Sequence, residues 1–592
     1  MKSVFRSLNV SAEDIANVIG LMLTFSVIIA FIQFALVGRV DILSLVLGLF
    51  TSLLITLYLL KTRKRCSKHK KHNLRTYHAV IFVYAFFILS LFCIFPIFPI
   101  DHSVDFLVYI ERSLEFAYGV ASLRSLLTYH PATYLLLASI LSLNVACPLI
   151  ISRMFMLIMI LFGIPLLYVV SRRLFSVRVG VMVILLSIFV NVFWYYTVFS
   201  GGLYANFLGI LSTLYLFLLV VKFQRKNSLT YMVLIPIVSL ISILLHETSL
   251  IFLSALFLSG VYDVIIRGKW KLLFISIIAL CPMLVLFILF PPGLRLALNF
   301  IYNILTGKKL TTSLVVIKPL DSVYKFLSPI SPILADIYVF IGWSGLVLTI
   351  LAVVMGMWSL LKRVEGLKVI PFFWLMLLYV ISYFTNETVR LGLITMVPVV
   401  ILCGVLGSIV LRVTDRLRYT LTSSILLQKI FKYELLIVIS LLLLINSKVC
   451  STITSYYLDA DRHLRLQYGI VEAMEWITKN VPSDAYVVSV YCWQFRYMKY
   501  VTGRDISFDA PFHPRELLEF MRGGELKLHN ASDLYVVVRN DIHSDSIYLV
   551  NSYGEIGIFE KVWENNVVTV FKTNISCIVR CDSTHSNLGF YP

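Results

Sequence analysis

The first apolar run of the chain reads Ile15-Ala-Asn-Val-Ile-Gly-Leu-Met-Leu-Thr-Phe-Ser-Val-Ile-Ile-Ala-Phe-Ile-Gln-Phe-Ala-Leu-Val37. It contains no charged residue and is longer than the roughly 20 residues that an α-helix needs to cross the hydrocarbon core of a bilayer. It is too long for the apolar core of a signal peptide, and no small-residue cleavage site follows it. The run therefore predicts a membrane-spanning helix at the start of the chain.

The composition extends this prediction to most of the chain. Of 592 residues, 59% are hydrophobic and 14% are charged, and the mean hydropathy is +0.89. Soluble globular proteins have roughly 25% charged residues. A single water-soluble domain, a disordered chain and a collagen-like fibre are excluded, and the sequence predicts a mainly α polytopic membrane protein.

Further apolar runs predict about 13 transmembrane helices, because each is close to the length needed for one crossing. These runs cover residues 15–37, 42–60, 77–98, 149–171, 179–199, 203–221, 230–246, 248–266, 272–291, 335–361, 369–385, 391–411 and 433–449. Residues 131–147 are interpreted as a re-entrant or interface-lying helix on the outer side, with a short kinked span as the alternative.

The distribution of charge predicts the orientation in the membrane. Eight Lys and Arg residues lie in the loop 61–75, and the first 449 residues hold 38 basic and 15 acidic residues. From residue 450 onward the chain holds 13 basic and 17 acidic residues. Basic loops stay in the cytoplasm, so we expect a cytoplasmic N-terminus and an extracytoplasmic C-terminal region in a cell-membrane protein. Because the positive charge is confined to short loops, nucleic-acid binding is not expected.

After residue 450 the pattern changes to that of a small α/β domain. Residues 468–480 have helical spacing of apolar positions, and 485–490, 534–538, 556–559 and 567–571 predict strands. The predicted domains are an N-terminal hairpin with its basic loop (1–76), a transmembrane core (77–449) with a first external loop at 99–130, and an extracytoplasmic domain (450–592).

Four cysteines lie in the C-terminal region, namely Cys450, Cys492, Cys577 and Cys581. Outside the cell they allow three disulfide pairings, and the sequence does not choose among these pairings or between disulfides and free thiols.

The outer loops contain ionisable residues near membrane depth, where such residues are costly and therefore candidates for function. Asp101 and Asp105 are four residues apart, so on a helix both carboxylates face the same side. Two close carboxylates raise each other's pKa, which suits a general base or a cation site. The alternative is a solvated helix start with acidic caps.

Two outer hairpins and one outer turn supply further candidates. His246 and Glu247 lie between two apolar runs. We expect the pair either to cap a helix or to project into a cavity. Glu387 and Arg390 belong to a second hairpin, in which Arg390 can hold a phosphate bidentately or anchor the helix at the membrane surface. Tyr204 ends a tight turn that begins at Ser200.

Short motifs in these loops resemble the GT-C superfamily of integral membrane glycosyltransferases. The first loop contains Asp101-His102-Ser-Val-Asp105 and then Tyr129-His130-Pro131, which is similar to the acidic pair and Tyr/His-Pro turn of that superfamily. Residues 386–398 resemble its late Arg…Pro hairpin, and residues 472–489 resemble the external domain of archaeal members. The architecture resembles that of protein mannosyltransferases, aminoarabinose transferases and oligosaccharyltransferases.

The sequence also departs from the superfamily pattern. His102 follows Asp101 and Phe106 follows Asp105, so the second acid of the usual adjacent pair is missing. The Trp-Trp-Asp-Tyr-Gly signature of oligosaccharyltransferases is absent, which disfavours transfer of an oligosaccharide to asparagine. The N-terminal hairpin is additional to the superfamily core.

The resemblance implies an inverting transfer of a sugar from a polyprenyl (dolichyl) phosphate carrier to a glycan, lipid or protein acceptor outside the membrane. It implies Asp105 first and Asp101 second as the general base, and Arg390 with His246 at the leaving phosphate. The remaining residues assigned to substrate binding are His102, His130, Tyr204, Glu247 and Glu387. A divalent cation, Mg or Mn, is compatible with this chemistry, although no ligand set in the sequence demands one.

Two other classes of function compete with the enzyme. A lipid-linked-sugar flippase or transporter would need broken helices or an inverted repeat at mid-membrane, and neither is clear in the sequence. A structural assembly protein would use the external domain as its binding surface.

Overall fold

The structure is a computed structural model that describes most of the helices and the strands of a C-terminal sheet. It covers residues 12–63, 104–122, 125, 130–143, 148–187, 204–289, 327, 331–332, 334–335, 337, 343–384, 388–421, 460–490, 506–507, 533–540, 550–553, 555 and 559–574. The predicted spans at 77–98 and 433–449, the second half of 179–199 and the four C-terminal cysteines lie outside these residues.

The chain divides into two compact units. Unit 1 comprises Met1–Ile94, Gly119–Phe199 and Leu203–Ser455, and unit 2 comprises Phe95–Tyr118, Ser200–Gly202 and Tyr456–Pro592. These units follow contacts in space, and the domain boundaries at residues 76 and 449 stay predictions.

The described part of unit 1 is entirely helical. Its helices are α1 (Ala12–Val37), α2 (Leu43–Arg63), α4 (Pro131–Leu141), α5 (Pro148–Leu174), α6 (Val177–Ser187), α7 (Tyr204–Lys226), α8 (Leu229–Leu245), α9 (Ser249–Arg267), α10 (Lys271–Leu289), α11 (Trp343–Leu361), α12 (Gly366–Phe384) and α13 (Thr388–Leu421). Seven of them (α1, α2, α5, α7, α9, α11 and α12) contain a stretch that is long and apolar enough to cross a membrane. The prediction of a mainly α polytopic membrane protein is confirmed, whereas the count of about 13 spans stays a prediction.

Helix α7 lies at the centre of unit 1. Every residue from Tyr204 to Phe223 is buried, so neighbouring helices cover all of its faces. Helix α1 approaches it at Gly20, where an added Cβ would lie 2.0 Å from the Tyr215 ring. Small residues let helix backbones approach closely in membrane proteins, where the hydrophobic effect does not drive helices together.

Ion pairs define one end of the bundle, here called the basic end. Glu13 at the start of α1 pairs with Arg173 at the end of α5 and lies 3.4 Å from Lys222 at the end of α7. The Lys222 ammonium also donates a hydrogen bond of 2.6 Å to Asn17 Oδ1. The end of α9 and the start of α12 meet at this end as well, because Asp263 Oδ1 accepts a 3.1 Å hydrogen bond from the Gly366 N–H.

The short helix α4 runs across the opposite ends of its neighbours. Its Thr133 hydroxyl donates to the carbonyl of Leu245, the last residue of α8, over 3.2 Å. Its Ser139 hydroxyl lies 2.6 Å from that of Ser44, at the start of α2. Eleven residues extend only about 16 Å, half of the hydrocarbon thickness. Residues 144–147 lie outside the described residues, and the expectation that 131–147 do not cross the membrane stays a prediction.

Unit 2 contains helix α3 (Val104–Ala117), helix α14 (Ala460–Asn480) and a mixed five-stranded sheet. The strands are β1 (Tyr486–Val490), β2 (Ile506–Ser507), β3 (Asp533–Arg539), β4 (Glu560–Glu564) and β5 (Val568–Asn574), in the order β2-β1-β3-β5-β4. Strand β1 is parallel to β2 and β3, and β5 is antiparallel to β3 and β4. One face of α14 packs on this sheet through Ile470, Ala473 and Ile477.

The strands largely match the prediction for an α/β domain, with one shift and one omission. The strand expected at 556–559 occurs four residues later, at Glu560–Glu564. Residues 556–558 lie outside the described range. Strand β4 is a half-exposed edge strand in which three charged residues flank Val562 and Trp563, so no apolar run marks it. The two-residue strand β2 was not predicted, because so short a segment has no period to detect.

Candidate functional site

His246 and Glu247 form the turn between α8 and α9. Helix α8 ends at Leu245, and the extended backbone of His246 (φ −164°, ψ 132°) redirects the chain into α9. The His246 ring contacts the next residues of the turn, since Nδ1 lies 2.7 Å from the Thr248 hydroxyl and 3.2 Å from the Thr248 amide nitrogen. Gly209 of α7 lies directly against this turn, and a Cβ there would be 2.7 Å from the His246 Cβ.

His130 precedes α4 and has a left-handed backbone (φ 60°, ψ 49°). This conformation costs a residue other than glycine roughly 1–2 kcal/mol. Two features support it here, because the His130 carbonyl accepts hydrogen bonds from the Thr133 and Tyr134 amides, and because Pro131 is favoured at the first position of a helix. The backbone of His130 is therefore fixed by the start of α4.

The two histidines meet although 116 positions separate them. Their rings stack with centroids 4.4 Å apart and planes 18° from parallel. Glu247 reaches both rings, with Oε2 3.5 Å from His130 Nδ1 and Oε1 3.7 Å from His246 Nε2. We call these three residues the histidine cluster, and the end of unit 1 where they lie the histidine end.

The burial of the histidine cluster is graded. The His130 and His246 side chains are 2% and 1% exposed, whereas Glu247 is 46% exposed. The carboxylate therefore joins the solvent to two deeply buried imidazoles. Such an arrangement can share a proton between ring and carboxylate, or it can direct imidazole and carboxylate ligand atoms at one ion.

The Thr248 contacts bear on the tautomer of His246. If the Nδ1 atom is unprotonated it accepts from the Thr248 amide, and the proton on Nε2 then points to Glu247. If the Nδ1 atom carries the proton it donates to the Thr248 hydroxyl, and the Nε2 lone pair then faces Glu247. The structure has the first of these arrangements, because the Thr248 amide N–H donates to Nδ1.

Two other predicted residues belong to the same end of unit 1. Tyr204 is buried at the first position of α7, five residues before Gly209. Arg390 lies in the first turn of α13. Because α12 starts at the basic end, its last residue and the start of α13 lie at the opposite end, where His246 is. The side chain of Arg390 lies outside the described residues, so its role in phosphate binding stays a prediction.

The first-loop carboxylates are not part of the described site. The backbone of Asp105 lies in α3 of unit 2, and its side chain lies outside the described residues. Asp101, His102 and Glu387 lie outside them altogether. Their assigned roles, and the expected convergence of Asp101, Asp105, His246 and Arg390 on one cavity, stay predictions.

Sequence reasoning missed two residues that shape the histidine cluster. Thr248 follows the His-Glu pair directly, and a hydroxyl two residues after a histidine is a signal for a local ring contact. Gly209 lies inside an apolar run, where a glycine indicates close approach but does not identify the partner.

Comparisons with known proteins gave results only for three-dimensional structure. No protein-family model and no curated protein matches the chain. Among solved structures, the archaeal oligosaccharyltransferase AglB from Archaeoglobus fulgidus, in complex with an inhibitory peptide and a dolichol-phosphate, matches over 79% of this chain and 70% of its own, with 11% identity and a TM-score of 0.49. ArnT from Cupriavidus metallidurans bound to undecaprenyl phosphate matches over 84% of this chain and 98% of its own, with 14% identity and a TM-score of 0.48.

At these identities and TM-scores the matches identify no family, functional residue or substrate of this protein.

Proposed function

We propose that the protein is a membrane glycosyltransferase that moves a sugar from a polyprenyl phosphate carrier to an acceptor on the outer side of the membrane. One observation carries the proposal. His130, from the Tyr-His-Pro motif on which the superfamily resemblance rests, stacks on His246 of a separate outer hairpin. Buried ionisable groups at the ends of membrane helices are costly, so their assembly at one end favours a functional site.

The proposed reaction is a displacement at the anomeric carbon with inversion. Asp105, or Asp101 in its place, accepts the proton of the acceptor hydroxyl, and the acceptor oxygen forms a bond to the anomeric carbon. The bond from that carbon to the carrier phosphate oxygen breaks, and the lipid phosphate leaves with the electron pair. Arg390 and His246 neutralise the charge on this leaving group.

The other assigned residues are proposed to position the substrates. His130 and Glu247 orient His246 through ring stacking and the carboxylate contact. His102, Tyr204 and Glu387 are proposed to contact the sugar or the acceptor. The acceptor class (glycan, lipid or protein) stays open, and a divalent cation, Mg or Mn, is compatible with the reaction but has no assigned ligands.

Release of the carrier tests this proposal directly. The full-length protein in lipid nanodiscs is incubated with a panel of polyprenyl-phosphate sugars and a membrane extract as acceptor, and free polyprenyl phosphate is measured by mass spectrometry. We expect Asp105→Asn to lose activity by about 10²–10⁴-fold, because the amide cannot accept the hydroxyl proton.

Asp41→Asn is the matched control for this experiment. Asp41 lies at the histidine end and caps α2 by accepting a 2.9 Å hydrogen bond from the Leu43 amide, which an asparagine oxygen can also accept. The control removes the same charge and should keep full activity. Asp105→Asn activity within about threefold of wild type would exclude Asp105 as the base. Flipping of the lipid-linked sugar without release of its carrier would favour the transporter.

A further inference from the structure

We propose that His130, His246 and Glu247 form a three-ligand site for a divalent transition metal ion of the zinc class. Each residue offers one ligand atom, and the three atoms lie within 4.8 Å of one another. Among the described residues, this is the one group of three histidine, cysteine or acidic side chains with such spacing.

The donor atoms select the type of ion. Two imidazole nitrogens and one carboxylate are a ligand set found in zinc sites that keep a fourth position open. Imidazole favours zinc, copper and nickel, whereas magnesium and calcium prefer oxygen ligands only. The histidine cluster therefore differs in chemistry from Asp101 and Asp105, whose oxygens would suit Mg or Mn.

The ligand atoms are somewhat further apart than those of a tetrahedral site. With zinc–ligand bonds of roughly 2.0–2.1 Å, two ligand atoms of a tetrahedron are about 3.4 Å apart. Glu247 contacts the rings through different oxygens, at 3.5 Å from His130 Nδ1 and 3.7 Å from His246 Nε2, and one ligand atom from each residue lies within 4.8 Å of the other two. The rings are 18° from parallel, so their lone pairs do not yet converge. Coordination therefore requires one ring to tilt.

Thr248 supplies the second layer of the site. Histidines that bind metals usually donate their other ring N–H to a fixed acceptor, which orients the ring and sets the tautomer. In the structure His246 Nδ1 accepts from the Thr248 amide N–H, so metal binding at Nε2 requires the ring proton to move to Nδ1. The Thr248 hydroxyl, 2.7 Å from Nδ1, is the group that then accepts this proton. The Nε2 lone pair is then directed to the side of the ring where Glu247 lies.

The burial pattern provides both affinity and access. The two imidazoles are almost fully buried, so water competes little with the ion for their lone pairs. Glu247 is half-exposed and gives an ion a route from solvent to the rings. One carboxylate and two neutral imidazoles leave a bound Zn²⁺ with a net charge of +1, so water or an anionic oxygen completes the shell.

Metal binding is tested on the full-length protein in nanodiscs after treatment with a chelator. Zn²⁺ affinity is measured by competition with a chromophoric chelator, and Co²⁺ is used as a probe because its visible bands are intense only in tetrahedral coordination. We expect one ion per chain and a tetrahedral Co²⁺ spectrum. His246→Ala and Glu247→Gln should each lose more than the 10–100-fold in affinity that is typical for loss of a second-layer group.

Thr248→Val separates a metal site from a merely structural cluster. It keeps all three ligands and should weaken Zn²⁺ binding by about 10–100-fold. Thr213→Val is the matched control, because the Thr213 hydroxyl donates to Ser249 instead of contacting a ligand, and it should bind Zn²⁺ like the wild type. The exposed Glu247 makes Glu247→Gln a variant that folds even if a buried histidine variant does not.

Three results would overturn the proposal. The wild-type protein could bind Zn²⁺ no more tightly than Glu247→Gln does, or its Co²⁺ spectrum could be that of octahedral coordination. The third result is equal Zn²⁺ affinities of Thr248→Val and Thr213→Val. None of these readouts uses turnover. The metal site and the proposed glycosyl transfer can therefore fail separately.

Discussion

Gly209→Ala tests whether α7 positions the histidine cluster. The new Cβ would lie 2.7 Å from the His246 Cβ, whereas carbon atoms in contact are about 3.5–4.0 Å apart. The His246 backbone nitrogen and Cα lie 3.6 Å and 3.7 Å from the same point, so the backbone of the turn is already in contact. The turn must move by about 1 Å to relieve the overlap.

The effect on stability is a difference of two terms. Replacing glycine by alanine within a helix is favourable by roughly 0.5–1 kcal/mol. Overpacking a buried contact costs typically 1–3 kcal/mol. We therefore expect a net destabilisation of about 0–2.5 kcal/mol, together with a larger effect on metal binding, because ligand distances tolerate only about 0.2 Å. A movement of the His246 turn by about 1 Å is several times this tolerance, so Zn²⁺ affinity should fall at least tenfold.

Gly392→Ala is the matched control, since none of the described atoms lies within 4 Å of its added Cβ. Thermal unfolding is followed by the reaction of buried Cys403 with a thiol-reactive fluorophore, and Zn²⁺ affinity by chelator competition. Gly392→Ala should unfold at the wild-type temperature or higher and bind Zn²⁺ normally. If Gly209→Ala matches Gly392→Ala in both measurements, α7 does not position His246 and the packing argument is wrong.

Three further predictions concern the basic end, the orientation and unit 2. Glu13→Gln should destabilise the protein by about 1–3 kcal/mol in thermal unfolding, because the Lys222 ammonium, 4% exposed, loses one charged contact and keeps its hydrogen bond to Asn17; an unchanged Tm would contradict this. In a chain whose other cysteines are replaced by serine, an impermeant thiol reagent should label Cys66 only after the cells are permeabilised, and labelling of intact cells would reverse the predicted topology. The hydrogen bond from Lys561 lowers the pKa of Glu564, so the stability that this pair contributes is present above the unfolded pKa and is lost as pH falls through the folded value. Because both side chains are about half-exposed, hydrogen exchange of β4 should lose at most about 1 kcal/mol of protection at acid pH, and Glu564→Gln should remove this dependence.

The sequence alone determined the class of the molecule and most of its helices. Runs of about 20 apolar residues have few structural solutions, because in lipid every backbone polar group must be paired within the chain. The described helices α1, α2, α5 and α7 to α13 therefore lie where the apolar runs predict them. The short run after His130 forms an 11-residue helix, and its predicted position at the membrane surface stays a prediction.

Strands and site residues were predicted less completely, for related reasons. Strands β1, β3 and β5 contain short apolar runs, which are visible in the sequence. The edge strand β4 lacks such a run, and its predicted position is four residues too early. His130, His246 and Glu247 were each chosen because ionisable residues at outer helix ends are costly. Their chemical type and position along the chain were thus visible in the sequence, but their contact with one another was not.

Only the tertiary structure decided that His130 stacks on His246 and that Glu247 reaches both rings. Periodicity is a local property, and it does not say which helices are neighbours. In a membrane all apolar helix faces are nearly equivalent, so neighbours are chosen by the fit of small residues such as Gly209 and by hydrogen bonds such as that from Thr133 to Leu245. The histidine cluster is the product of these two contacts, which bring the ends of α4, α7 and α8 together across more than a hundred residues of chain.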